Sequence, residues 1–309
     1  MKSGIHPEER IISLDNTAAN LFRACPARFR HRIESDLVPL SESRGTVPPL
    51  KLHYGIAWHT AMDTLYETKD LKAAQDVFET AAKDLETDPY NRLSIARGVG
   101  DLKEYWLRYE NELESMQLIQ CEAIVNAQLG VTHGSDGDEW KIIYHGAIDK
   151  LLQSRPGPDV PVRIRDHKTT SYLTANTGVS YMLSNQMIGY AALVKEFFGY
   201  EKIVVDVDIV GITKVRPPST FLRTEIVASD VLLNEWRQEI QQTARMMLSC
   251  YETGIWPRYG ERSCFMYGRR CDFFDICSVD PDFRPVQVKA HYAVDPWDPA
   301  ARREDEKDA

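Results

Sequence analysis

The stretch Val162–Thr170, VRIRDHKTT, sets a carboxylate and an ammonium two residues apart at the end of an alternating run. Side chains alternate faces along an extended strand, so Val162, Ile164, Asp166 and Lys168 share one face, and its apolar start runs into charge. Taken alone, the Asp166/Lys168 pair also reads as a surface ion pair at a sheet edge, which stabilises little. Upstream, HGAIDKLL carries Asp149 shortly after a glycine in the preceding β-type run. Two hairpin-linked strands can hold Asp149 and Asp166 side by side, and carboxylates that close repel one another unless a cation sits between them. Such a pair suits Mg2+ or Mn2+, which favour carboxylate, carbonyl and water ligands. Lys168, next on the same face, is then placed to meet the attacking water or a phosphate.

The elements around these residues follow from the pattern. Residues 13–35 read as a short capped helix, a Cys-Pro break and a second, basic helix. A Pro, Ser and Gly-containing linker over 36–52 precedes amphipathic helical runs at 54–66, 71–86 and 94–118, so the first third is mostly α. Three β-type runs from Leu118 to Thr170, separated by THGSDGDE and SRPGPDV, form a meander. A helix over 184–198, the strand KIVVDVDIVGIT, the turn VRPPS, the strand TFLRTEIV and a helix over 230–251 follow. The end, 257–297, is rich in Cys, Tyr, Phe and Pro, and 298–309 reads as a disordered tail. The expected division is an N-terminal helical region at 1–117, an α/β core at 118–252, a Cys-rich segment at 253–297 and the tail.

The 309 residues, 43% hydrophobic and 27% charged, are enough for one large domain or one domain with an appended lobe. No apolar run is long enough to span a bilayer and MKSGIHPEER lacks the apolar segment of a signal peptide, so a cytoplasmic protein with no membrane partner is expected. In a reducing compartment the six cysteines are buried thiols or metal ligands rather than disulfides. The net charge of −9 argues against a nucleic-acid partner in sum but not in distribution. Basic residues bunch at Arg23, Arg28, Arg30 and Arg32, at Lys214 and Arg216, and at Arg258, Arg262, Arg269 and Arg270, while acid concentrates in 67–114 and the tail.

The series G-x-x-D in HGAID, D-x-K in RDHKT and Q-x-x-x-Y in NQMIGY resembles the PD-(D/E)XK nuclease superfamily, RecB-like branch, and LHYGIAWHTAMDTLYE is similar to that branch's helical motif with a metal-binding histidine. The resemblance covers about residues 13–280. It implies a restriction-endonuclease-like mixed β-sheet flanked by helices, with the Cys-rich C-terminal segment closing on the N-terminal region. It also implies that His59, Asp149 and Asp166, helped by the main-chain carbonyl of His167, ligate Mg2+ or Mn2+, and that Lys168 is the catalytic lysine. Gln186 and Tyr190, one helical turn apart, would line the site and contact DNA, and Glu122 falls where relatives often carry an acidic residue.

Cys25 with Cys264, Cys271 and Cys277 resembles the iron-sulfur staple of the branch that includes the CRISPR-associated exonucleases, although the first late gap here is six residues where two are common. Four thiolates suit a 4Fe-4S cluster and also suit zinc. Cys121 and Cys250 read as small buried hydrophobes. A cluster would draw Arg23, Arg28, Arg269 and Arg270 together as a collar for a DNA backbone. The expected function is a metal-dependent exonuclease acting on DNA ends or single strands, of the phage recombination, repair or CRISPR-adaptation type, with proteins of those processes as partners and oligomers allowed. The alternative is a non-catalytic iron-sulfur protein that binds DNA as a scaffold. No G-x-x-x-x-G-K-[ST] loop is present, so no ATPase motor is recognisable in the chain.

Overall fold

The computed structural model describes residues 2–43, 50–83, 85, 93–157, 159–212, 219–266 and 268–297. The tail expected over 298–309 and the basic pair Lys214 and Arg216 lie outside them. By its contacts the chain divides into two units that alternate along the sequence: Met1–Val47, Asn126–Gly146 and Asn234–Pro299 in the first, and Pro48–Val125, Ala147–Leu233 and Ala300–Ala309 in the second.

The first unit opens with β1 (Gly4–His6) and β2 (Ile11–Leu14), an antiparallel pair. Asp15 then caps α1 (Asn16–Ala24), its carboxylate accepting from Ala18 N at 2.6 Å, and Pro26 starts α2 (Pro26–Phe29), as the Cys-Pro break anticipated. A single π-helical turn (Arg30–Glu34) leads to β3 (Leu37–Pro39). Two long strands, β4 (Gln117–His133) and β5 (Glu139–Gln153), run from one unit into the other along the chain. In the first unit β2 pairs parallel to β5 from Ile11/Lys141 to Leu14/Tyr144, and Tyr144 meets Trp236 of α7 (Asp230–Thr253) edge to face. The C-terminal segment holds α8 (Glu261–Cys264), β9 (Phe265–Met266), β10 (Arg269–Arg270), α9 (Phe274–Cys277), α10 (Arg284–His291) and β11 (Tyr292–Val294). It closes on the N-terminal segment as expected: β11 pairs antiparallel with β3, Ala27 N donates to Pro257 O at 3.1 Å, and Ser263 Oγ donates to Ala24 O at 2.6 Å.

In the second unit α3 (Leu50–Thr68), α4 (Leu71–Ala81) and α5 (Ile95–Ser115) share one apolar core. Tyr54, Trp58, Ala61, Met62 and Leu65 recur at three- and four-residue spacing on α3 and meet Phe78 of α4 and Leu102 and Tyr105 of α5. Asp70 and Ser94 cap α4 and α5 through their side-chain oxygens. Gly98 is needed where the Phe78 ring lies on the α5 backbone, because a Cβ there would overlap the ring.

The sheet of this unit runs β5, β6 (Val162–Thr170), β7 (Ile203–Gly211) and β8 (Thr220–Val227). Its pairings are antiparallel, parallel and antiparallel in turn, so the sheet is mixed. The parallel step from β6 to β7 requires a crossover, which α6 (Asn185–Phe198) supplies, ending on Gly199 at φ 74°. The mixed sheet flanked by helices is the restriction-endonuclease-like arrangement expected from the sequence motifs. No helix among the described residues is long and apolar enough to cross a membrane.

Candidate active site and cysteine corner

The antiparallel register of β5 and β6 runs through Lys150/Arg165, and continuing it by one residue sets Asp149 opposite Asp166. Both carboxylates are buried, each 1% exposed. Asp149 Oδ2 accepts from the His167 main-chain N–H at 3.0 Å and lies 3.2 Å from His59 Nδ1 of α3. Lys168 Nζ donates to Asp166 Oδ1 at 3.0 Å and stands 2.7 Å from Asp166 Oδ2, which itself accepts no hydrogen bond. His59, Asp149, Asp166 and Lys168 therefore meet as four adjacent groups in the second unit.

Their protonation follows from burial set against neighbouring charge. Burial pushes the Asp149 carboxyl up, but His59, Lys150 and Lys168 together outweigh it and hold this group well below the usual carboxylate range. Burial also pushes Asp166 up, Asp149 adds to that, and Lys168 opposes it without reversing it, so Asp166 lies above its ordinary value. Burial favours the neutral form of Lys168, yet Asp166 and Asp149 prevail and keep its ammonium charged. Tyr181 lies within electrostatic reach of Lys168 and Asp166, its hydroxyl raised mainly by burial.

Beside these groups opens a cavity of about 760 Å3, whose lining includes His59, Asp63, Glu67, Cys121, Glu122 and Lys168. Cys121 and Glu122 are consecutive strand residues that would face opposite ways in regular β structure, yet both line this cavity. Glu122 has φ 51°, a left-handed conformation that breaks the alternation of β4. Gln186 and Tyr190 lie on α6, where Gln186 Nε2 donates to the buried Tyr190 hydroxyl at 2.8 Å. Neither lines the cavity.

The opposite face of β6 was not anticipated. Arg165 is 1% exposed and donates to Tyr66 Oη at 2.8 Å, Asp206 Oδ2 at 2.9 Å and Glu112 Oε1 at 2.5 Å. The parallel register sets Arg165 beside Asp206 and His167 beside Asp208. Asp208 accepts from Tyr105 Oη at 2.5 Å and from Arg223 Nη2 at 2.7 Å. Lys150, wholly buried, donates to Asp63 Oδ1 at 2.8 Å. The His167 ring is enclosed with neither nitrogen hydrogen-bonded, and burial, Lys150, His59 and Arg165 hold it neutral, its pKa well below the usual value. The chemistry-bearing face of β6 thus backs onto a buried layer of charge and hydroxyl groups.

In the first unit, Cys25, Cys264, Cys271 and Cys277 gather in one corner. Cys271 N donates to Cys264 O at 2.8 Å, and Cys25 Sγ faces Pro257 O at 3.9 Å. Burial raises the Cys277 thiol to about 11, and the charges of Cys271, Cys25 and Cys264 add to the effect, so all four lie within electrostatic reach. His31 Nε2 is 3.7 Å from Cys277 Sγ, and its pKa is pushed down to about 4 by burial, Arg30 and Arg284. Of the arginines expected to form a collar, Arg23 is engaged by Thr243 and Glu239, Arg28 by Asp272 and Arg270 by Asp275, while Arg269 is exposed.

Metal chemistry can be tested against these donors. Two buried carboxylates, one with an oxygen that accepts no hydrogen bond, and an adjacent imidazole suit a hard divalent cation, and four thiols suit iron-sulfur or zinc. As placed, the carboxylates are held by His59 and Lys168, and among the described residues no three His, Cys, Asp or Glu side chains form a group that holds a metal ion.

A sequence model described as the PD-(D/E)XK nuclease superfamily matches residues 15–278. Among solved structures, one described as a "putative exonuclease" from Eubacterium rectale is similar at 12% identity, covering 87% of this chain and 94% of its own, with a TM-score of 0.47. That of SSO0001 is similar at 12% identity, covering 64% of this chain and 74% of its own, with a TM-score of 0.27. A search of curated proteins found no match.

Proposed function

Because the chain belongs to the PD-(D/E)XK nuclease superfamily, we propose that it hydrolyses phosphodiester bonds of DNA, working from free ends, with Mg2+ or Mn2+ held by His59, Asp149, Asp166 and the main-chain carbonyl of His167. The observation that carries this is the pair of buried carboxylates facing each other across β5 and β6 with Lys168 against one of them. A bound divalent cation supplies charge to the scissile phosphate and acidity to a coordinated water. The remaining roles fall to the chain itself. Asp149, held ionised far below its ordinary range, is a permanent anion at neutral pH, whereas Asp166 keeps its charge chiefly through Lys168. Lys168, kept protonated by both carboxylates, acts as a donor to the attacking water or to a phosphate oxygen that gains charge in the transition state, and not as a base. The neutral, enclosed His167 ring leaves its main chain as the part that faces the site.

We further propose that Cys25, Cys264, Cys271 and Cys277 hold a 4Fe-4S cluster, with zinc as the lesser alternative. The mutual electrostatic influence of these thiols supports it, as does the pairing of β3 with β11, which ties the two terminal segments around them. Incubating internally labelled linear single-stranded, linear double-stranded and circular DNA with Mg2+, Mn2+ or neither tests the nuclease proposal. Metal-dependent loss of the linear substrates with the circle spared is expected, and absence of cleavage under every condition refutes it.

A further inference from the structure

A second cavity lies in the first unit, lined in part by Cys277 and otherwise by residues that the chemistry above does not use. Its volume is about 180 Å3, and its lining includes Arg30, His31, Trp256, Arg258, Cys277 and Arg284. That is far more room than one water needs and less than a drug-sized ligand fills, the range suited to a small polyatomic ion. Among the described residues no carboxylate lines it. In a chain of net charge −9, three guanidiniums converge there, and among the described residues none of them is paired with an acid. This sets them apart from Arg23, Arg28 and Arg270, each of which has a carboxylate partner.

Two details indicate that the arginines are held for a ligand. Arg258 Nη1 is fixed on the Cys277 carbonyl at 2.7 Å, which orients its fork. Arg284 Nε is buried and finds no hydrogen-bond partner among the described residues, so its guanidinium has donor capacity to spare. Guanidinium forks match the geometry of phosphate oxygens, and three of them exceed what a single carboxylate ligand requires. Trp256, partly exposed and stacked on Phe29 with ring centroids 6.0 Å apart, adds an aromatic wall of the kind on which nucleobases stack.

We propose that the cavity formed by Arg30, Arg258, Arg284 and Trp256 binds a phosphate group of a nucleic-acid strand. The nucleic-acid source rests on the nuclease proposal, whereas the preference for phosphate rests on the cavity alone. The site anchors the strand through residues other than those of the cleavage chemistry, so its loss weakens binding without removing Lys168 or the carboxylates.

The test is strand binding by the full-length protein with Mg2+ and Mn2+ withheld, followed as the anisotropy of a dye-labelled single-stranded oligonucleotide over a range of salt. Arg284→Gln and Arg30→Gln are each expected to weaken binding about tenfold and to lower the salt slope by about one, the signature of a lost phosphate contact. Arg284→Lys, which keeps charge but loses the fork, should fall between. Arg10→Gln serves as the control and should bind as wild type, with circular dichroism confirming that each variant folds. Binding within twofold of wild type in the Arg30→Gln/Arg284→Gln double variant overturns the proposal. So does quenching of tryptophan fluorescence by inorganic phosphate in a wild type that binds no strand, because the site then serves free phosphate. A wild type that cuts no DNA yet loses strand binding in these variants sinks the nuclease proposal and leaves this one standing.

Discussion

Replacing Arg165 by Met is the sharpest probe of how the site is held. Met fills much of the aliphatic volume of Arg165 but removes a guanidinium that is 1% exposed and bonded to Tyr66, Asp206 and Glu112. Breaking a buried ion pair from one side costs about 3–5 kcal/mol, because the other charge stays behind without compensation. Here that charge is not wholly abandoned. Asp206 keeps Arg163 at 2.7 Å, and Glu112 keeps Arg223. The expected loss therefore sits at the low end, about 3 kcal/mol, read as a lowered urea midpoint with an unchanged slope. Removing the stranded charge as well, in Arg165→Met/Asp206→Asn, should restore part of it, giving a coupling of about 1–2 kcal/mol in the double-mutant cycle. A single-variant loss under about 1 kcal/mol, with no coupling, would mean that Arg165 behaves like an exposed ion pair and that the buried layer behind β6 does not hold the strand.

Lys168→Ala should lower cleavage by about a hundredfold or more while the protein still folds and binds DNA, since Asp166, already raised, can take up a proton in its place; activity within a few-fold of wild type removes Lys168 from the transition state. Asp149→Asn should abolish Mn2+ binding in calorimetry, and unchanged binding removes Asp149 from the metal site. Cys25→Ser should lose iron and expose both terminal segments to protease, whereas Cys121→Ser and Cys250→Ser should keep the iron; full iron in Cys25→Ser means the late cysteines, about 240 residues away, find their fourth ligand elsewhere. Glu34 is raised from 4.5 to about 7, chiefly by burial, so the stability it contributes is complete below pH 4.5 and fades as pH rises through 7. Glu34→Gln should match wild type at pH 4.5 and exceed it by roughly 3 kcal/mol at pH 8 in denaturant titrations, and an unchanged pH profile would show that Glu34 titrates as an exposed carboxylate.

Much of the order of strands and helices after residue 117 was legible because its signals are local. The meander of β4, β5 and β6, the crossover helix and the long helix after β8 all follow from periodicity and turn chemistry, the spacing of Asp166 and Lys168 places their charges on one face, and a hairpin of the two strands can hold Asp149 beside them. In the first unit β1 and β2 escaped notice: three and four residues are too short for alternation to declare itself, and β2 is ordered by pairing with β5, some 130 residues on. The left-handed turn at Glu122 also leaves no trace, since a glutamate carries no preference for that conformation.

The other face of VRIRDHKTT, with Arg163, Arg165 and His167, shows what alternation alone leaves open. Arg163 and Arg165 alternate with Val162 and Ile164, and in a sheet with one wet face that pattern means exposure. Arg165 and His167 are instead enclosed, with Tyr66 of α3 and Tyr105 and Glu112 of α5 against them. A hint of this stood elsewhere in the chain, in IVVDVDIVG. A strand that is apolar at nearly every position is buried on both sides, so its two aspartates must find partners of opposite charge or hydroxyl donors inside the protein. The parallel register sets Asp206 beside Arg165, and Asp208 finds Tyr105 Oη and Arg223. β6 alone therefore looks half wet, and only its pairing with β7 makes the charged face an interior one.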